Sequence, residues 1–286
     1  MVTATQLSSY LYCPRKLFIS NVLLVEEPPK QELVKGKIWH ETHELLNNSE
    51  EKIVSSIKTN NYQDILDIYR RHYSKILRNV IIKHKSELKT FNISLIDIFA
   101  DYWVSFEEEA KEHALNVTHF IEKYNVYEKV LWEKLTPKIL SEQYFKSVKF
   151  NLSGIIDVLE MHDINGKIIY VPIELKTGKY PDKGMWDGHK IQLAAYMLLL
   201  EDAGKNVGEA AIKYRGVEKR LLQMNTFLKE EVLDLITKTS NVLNGLEPPD
   251  YVDSKTKCKT CQFKETCYNQ DTMKRLLKEA KLRLKK

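Results

Sequence analysis

The stretch that most constrains this chain runs from Leu152 to Gly178. It holds two apolar runs, one containing Leu152-Ser153-Gly154-Ile155-Ile156-Asp157 and one containing Val171-Pro172-Ile173-Glu174-Leu175-Lys176-Thr177-Gly178. Between them lies Asn165-Gly166, a dipeptide favoured where both central residues of a tight turn need positive φ. In the second run Ile169, Val171, Ile173 and Leu175 alternate with Tyr170, Pro172, Glu174 and Lys176. Period two therefore sets Glu174 and Lys176 on one face of a strand, with an aliphatic face behind them. Asp157 belongs to the neighbouring strand and can face the same way. Pro172 stands against a central position, because it donates nothing to a ladder.

An Asp, a Glu and a Lys gathered on one sheet face point to metal-assisted phosphodiester hydrolysis. Two carboxylates suit a hard divalent cation such as Mg²⁺ or Mn²⁺, which keeps several waters and accepts phosphate oxygens. A lysine beside them can orient a water or offset charge that builds on the phosphate. Glu-x-Lys alone carries little weight, since it recurs at Glu50/Lys52, Glu109/Lys111 and Glu279/Lys281 in polar, helical-looking stretches where solvated charge explains it. Its weight here comes from the apolar strand, the hairpin and the upstream Gly154-x-x-Asp157.

A chain of 286 residues, 43% hydrophobic and 29% charged, is globular and can bury a good core. Its longest apolar run, Leu193 to Leu200, is too short to span a membrane, and the amino terminus lacks a basic-then-apolar leader pattern, so a cytoplasmic location is expected. The net charge of +5 is concentrated in Met273–Lys286, a basic stretch that suits either a phosphate backbone or plain solvent. Three cysteines form a C-x2-C-x5-C cluster at Cys258, Cys261 and Cys267, and Cys13 stands alone near the start. Clustered thiols in an intracellular chain favour a metal site over disulfides. Four thiolates complete a Cys₄ set for either iron–sulfur or zinc, and the x5 spacing leans toward iron.

Helical periodicity marks Thr5–Tyr12, a helix opening at Pro14, another from Lys35 to Leu46, and one from Gly188 to Leu200. Residues 47–125 read as a helical insertion; alternation resumes from Val126 and continues through Gln143–Phe150. Ala210–Tyr214 and Arg220–Phe227 read as strands, and Leu228–Leu246 as a helix. The expected organisation is a nuclease-like core of residues 1–46 and 126–250, the insertion, and a cysteine cluster with basic tail over 251–286. On the helix after the hairpin, Gln192 and Tyr196 share a face at i, i+4. Tyr10, Tyr12, Trp39 and Trp186 are candidates to stack on bases.

The ordered series Gly36…His40-Glu41, Gly154-x-x-Asp157, Pro172-x-Glu174-x-Lys176 and Gln192-x-x-x-Tyr196 resembles the RecB-like branch of the PD-(D/E)XK nucleases. With Cys13-Pro14-Arg15 and the terminal cysteines, it is similar to the CRISPR-associated RecB-like exonucleases. The resemblance implies an α/β restriction-endonuclease-like core, a central mixed sheet flanked by helices, with a clasp joining the two ends of the chain. It implies that His40, Asp157 and Glu174 ligate Mg²⁺ or Mn²⁺ together with the Leu175 carbonyl, and that Lys176 serves the attacking water. Gln192 and Tyr196 would support the site, and Cys13, Cys258, Cys261 and Cys267 would hold a [4Fe–4S] cluster. The implied activity is a DNA exonuclease on single-stranded ends, 5′ to 3′, that works beside the CRISPR integrase. A repair nuclease partnered with a helicase and a non-catalytic DNA-binding subunit with a zinc Cys₄ site are the alternatives. Oligomeric state is left open.

Overall fold

The structure, a computed structural model, describes residues 1–283. A two-residue strand, β1 (Val2–Thr3), leads into α1 (Ala4–Tyr12), where Thr3 and Gln6 form a reciprocal capping box. Cys13 ends α1 and caps α2 (Pro14–Asn21), with Pro14 in the first turn where its missing N–H costs nothing. Beyond the Pro28-Pro29 break, α3 (Gln31–Val54) continues through residue 46 without interruption. Then come α4 (Tyr62–Lys83), the short α5 (Lys85–Thr90), α6 (Leu95–Tyr124) and α7 (Glu128–Lys134). In α4, Ile65, Tyr69, Tyr73, Leu77 and Val80 make a buried stripe; in α6, Ile98, Tyr102, Phe106, Ala110, Ala114, Val117 and Ile121 make another. These stripes join α3 and the Val158, Val171, Ile173, Leu175 and Ala211 side chains in one core, so the inserted helices cover a sheet face.

Three long strands follow: β2 (Lys138–Ser147), β3 (Leu152–Ile164) and β4 (Lys167–Lys176). The β3–β4 turn has φ +54° at Asn165 and +81° at Gly166, as the dipeptide predicts. Next are α8 (Asp187–Asp202), β5 (Ala210–Tyr214), β6 (Arg220–Leu222), α9 (Thr226–Asn244), α10 (Lys255–Lys259), α11 (Lys264–Tyr268) and α12 (Gln270–Arg283). The mixed sheet runs β1-β3-β4-β5-β6, with β2 on the other edge of β3. Its second face is covered by α8, α1 and α9; Ile191 to Leu200 of α8 are all buried. A third cluster, with Phe18, Ile19, Phe263 and Met273, ties α2 to the carboxy-terminal helices.

Pro172 does sit in a central strand. The Tyr170 N–H donates to Asn206 on the β5 side, so residue 172, two positions on, faces that side too. The β4–β5 ladder begins only at Ile173↔Ala211, so no ladder bond is forfeited. Two expectations need correction. Residues 128–134 are helical, with Leu131 buried inward and Lys129–Glu133 paired at i, i+4; seven residues are too few for either periodicity to decide. The strand expected over Arg220–Phe227 stops at Leu222, because the Asn225 side chain accepts from Leu228 N–H and starts α9.

Candidate metal centre

The site lies where the pairing of β3 changes hands. β1 pairs with its start at Leu152 and Ser153, and β4 pairs from Val158↔Ile173 onward. Just below that last pair the strands part, and the Asp157 carboxylate fills the gap by accepting from the Leu175 N–H at 2.8 Å. The next position across is Glu174, so Asp157 and Glu174 share a face. Three residues earlier on β3, position 154 is glycine because a Cβ there would meet the Tyr196 ring at 2.9 Å and Leu199 at 3.3 Å.

Glu174 is 3% exposed and held from three directions. Oε1 accepts from the Lys176 ammonium at 2.5 Å, Oε2 accepts from the Tyr196 hydroxyl at 2.9 Å, and Gln192 Nε2 donates to that hydroxyl at 2.8 Å. Gln192 and Tyr196 are themselves buried behind the carboxylate, which makes them positioning residues. Burial, then the charge of Asp157, pushes Glu174 up to about 7, against the pull of Lys176 and Tyr196. Lys176 loses water as well, which opposes its charge, yet Glu174 more than offsets that and raises its pKa. Both shifts register one fact: the pocket is short of positive charge.

From α3, His40 Nδ1 lies 3.5 Å from Asp157 Oδ1. Burial opposes protonation of His40, but the hydrogen bond and charge of Asp157, with Glu174 behind, raise its pKa. The structure thus gathers His40, Asp157, Glu174, Lys176, Gln192 and Tyr196, with Leu175 as the residue between the two key side chains of β4. Sequence reading missed Glu142. Its φ of +51° interrupts β2, and the flanking pairs Ser141↔Val158 and Gln143↔Ile156 place it across from Asp157. Ligand atoms of His40, Glu142 and Asp157 lie within 4.8 Å of one another. Burial and the Asp157 charge raise the pKa of Glu142. Nothing local in Ser-Glu-Gln within an alternating strand signals this. His189 was also missed: its Nδ1 lies 2.8 Å from the Tyr214 hydroxyl, and burial, then Lys176, lowers it to about 4.

All four cysteines are free, half-buried, and line one cavity with Arg15, Tyr251 and Tyr268. Arg15 is buried; its Nε donates to Cys267 Sγ at 3.2 Å, Nη1 to the Pro249 carbonyl at 2.7 Å, and the guanidinium stacks 4.0 Å above Tyr251. Cys13 Sγ accepts from Lys16 N–H at 3.3 Å as the cap of α2. Among the candidates for base stacking, Trp39 is buried, whereas Tyr12 and Trp186 are exposed.

Strands that part over an Asp, a Glu-x-Lys on the next strand and a supporting Gln-x-x-x-Tyr helix define a nuclease core, and the chain belongs to the PD-(D/E)XK nuclease superfamily, whose family-wide sequence profile matches residues 1–268. It is 25% identical over 93% of its length to the DNA replication ATP-dependent helicase/nuclease dna2 of Schizosaccharomyces pombe, of which the match spans 18%. It is also similar to CRISPR-associated exonucleases Cas4 from Rhodospirillum rubrum (30% identical over 46% of this chain and 41% of that protein) and Francisella tularensis subsp. novicida (27%, 43% and 59%). The match therefore spans between 18% and 59% of the length of these relatives. These findings bear out the resemblance read from the motifs and the expected α/β fold with a mixed sheet. Among the described residues, no helix is long and apolar enough to cross a membrane.

Proposed function

We propose that this protein is a divalent-cation-dependent DNA exonuclease with a structural iron–sulfur cluster, acting on single-stranded ends. The observation that carries this reading is the convergence of Asp157, Glu174 and Lys176 at the parting of β3 and β4, with His40 across from them. Mg²⁺ or Mn²⁺ fits a donor set of the Asp157 and Glu174 carboxylates, the His40 imidazole and the Leu175 carbonyl, in a pocket where the carboxylates outnumber the Lys176 ammonium beside them. Such a cation supplies Lewis acidity toward a phosphate oxygen and lowers the pKa of water. Asp157 and Glu174 would hold the cation with His40 as a further donor, and Tyr196 with Gln192 fixes the rotamer of Glu174. Lys176 orients the attacking water and offsets charge that builds on the phosphate.

A groove lined by Ser8, Leu11, Tyr12, Trp186, His189 and Lys257 offers exposed rings and a cation to an unpaired strand. The four thiols fit an iron–sulfur cluster better than zinc. The five residues between Cys261 and Cys267 exceed the roughly two to four usual between zinc-finger cysteines, which leans toward iron. Similarity to the Cas4 exonucleases supports a role in trimming DNA for CRISPR spacer acquisition beside the integrase, with 5′ to 3′ polarity drawn from the family resemblance. A second reading, repair or replication alongside a helicase, is favoured by the match to dna2 over 93% of this chain. The 286 residues contain no G-x-x-x-x-G-K-[ST] motif, so the motor would come from elsewhere.

End-labelled single-stranded and duplex DNA, with and without Mn²⁺, tests the proposal. Lys176→Ala and Asp157→Ala each lose cleavage while the fold and the visible cluster absorption persist. Cleavage undiminished in both variants sinks the assignment.

A further inference from the structure

We propose that Glu142 is a further cation ligand, and that its carboxylate, with His40 and Asp157, binds the divalent ion on the exposed side of the centre. The inference rests on the reading of this centre as cation-dependent and adds a donor that the sequence motifs do not contain.

Three carboxylates stand in a row across three adjacent strands. Glu142 on β2 faces Asp157 on β3, and Asp157 faces Glu174 on β4, by the registers that flank them. Like charges directly opposite one another destabilise a sheet, so such a row persists where a cation sits among them. Among the described residues no lysine or arginine forms an ion pair with Glu142 or Asp157; Asp157 has only His40. Lys176 is committed to Glu174. The two ends of the row also differ in availability. Glu174 is buried, and each of its oxygens already accepts one hydrogen bond, from Lys176 or from Tyr196, which leaves one lone pair apiece for the cation. Glu142 is exposed, and its carboxylate shares a 4.8 Å sphere with one Asp157 oxygen and one His40 nitrogen. Those three atoms form a ready oxygen–oxygen–nitrogen face for a hard or borderline cation, with its remaining positions open to water or a phosphate.

Mn²⁺ binding to the full chain, measured by calorimetry and by electron paramagnetic resonance in the absence of DNA, decides the matter. Glu142→Gln keeps the side-chain volume and removes the donor charge. The expected result is Mn²⁺ affinity weakened roughly tenfold or more, together with a melting temperature without metal that is unchanged or higher, since a like charge has gone. Glu44→Gln is the control: Glu44 lies close enough to act on Glu142 through its charge but is outside the three-atom group. It should weaken Mn²⁺ binding much less. Equal losses in both variants overturn ligation in favour of a general field effect, and unchanged affinity in Glu142→Gln overturns the proposal while leaving the nuclease reading intact. If the unaltered chain cleaves no DNA while Glu142→Gln still weakens Mn²⁺ binding, the ligand assignment stands and the nuclease reading falls.

Discussion

Glu174 spends its burial on being held still. Its two oxygens meet Lys176 and Tyr196, and the price is a carboxyl pushed up to about 7, first by desolvation and then by Asp157. That shift fixes a pH dependence. Between the ordinary carboxyl value near 4.5 and 7, the folded metal-free protein keeps a proton that the unfolded chain has lost, so stability falls as pH rises through this window and levels off above it. His40 acts in the same direction, because its raised pKa contributes stability at low pH that is lost as pH rises past the folded value. Burial of His189, lowered to about 4, works the other way over much of this window, so the readout is a difference between chelator-treated proteins: from pH 5 to 7 the melting temperature of the unaltered chain should fall relative to that of Glu174→Gln. Parallel slopes for the two proteins would remove the basis for the assigned protonation. At this scale the sequence was informative where a side chain announces itself by period and spacing, as Asp157, Glu174 and Lys176 do. Glu142 was silent because its place depends on a positive φ in β2 and on the partner strand, neither of which is visible in its neighbours.

Elements set these side chains in place through contacts that carry no chemistry. β3 approaches α8 closely at Gly154, where a Cβ would come within 2.9 Å of the Tyr196 ring. Tyr196 is itself locked between Gln192 and Glu174. Gly154→Ala should therefore cost about 1–3 kcal/mol of stability by overpacking. It should also lower cleavage further than the melting temperature explains, since the ring that aims Glu174 must move. Cleavage assayed well below the melting temperature, beside a thermal melt, tests this; full activity in a destabilised variant would show that the ring can yield without disturbing the carboxylate. The elements themselves were legible where periodicity ran long. α4 and α6 expose clear apolar stripes, and the β3–β4 hairpin combines alternation with a turn dipeptide. Short elements were not: α7 resembles alternation over seven residues, and a side-chain cap at Asn225 starts α9 inside the end of the strand expected over Arg220–Phe227, which stops at Leu222.

Over the whole molecule, two sheet faces are covered by helices from opposite parts of the chain, and the two chain ends meet around four thiols. The pairing of Cys13 with the distant cluster could be argued from thiol count alone, but the buried guanidinium between them could not. Arg15 spans the junction by reaching Cys267, Pro249 and Tyr251 from α2. Cys13 and Cys258 are 245 residues apart, and closing a loop of that length costs about 5 kcal/mol of chain entropy. A cluster that bridges these ends therefore stabilises the fold by restraining the open chain, with the apolar contacts of Phe18 and Ile19 against Phe263 and Met273 as its support. Cys261→Ala should lose visible absorption and melt at a lower temperature. Amide hydrogen exchange should accelerate first in α2 and across α10 to α12, while β3 and β4 keep their protection. Because α1 packs against α8, which carries Gln192 and Tyr196, cleavage should weaken but persist. A colourless variant with unaltered melting and exchange would show that the carboxy-terminal segment docks without its thiols, and that the helices alone hold the two ends together.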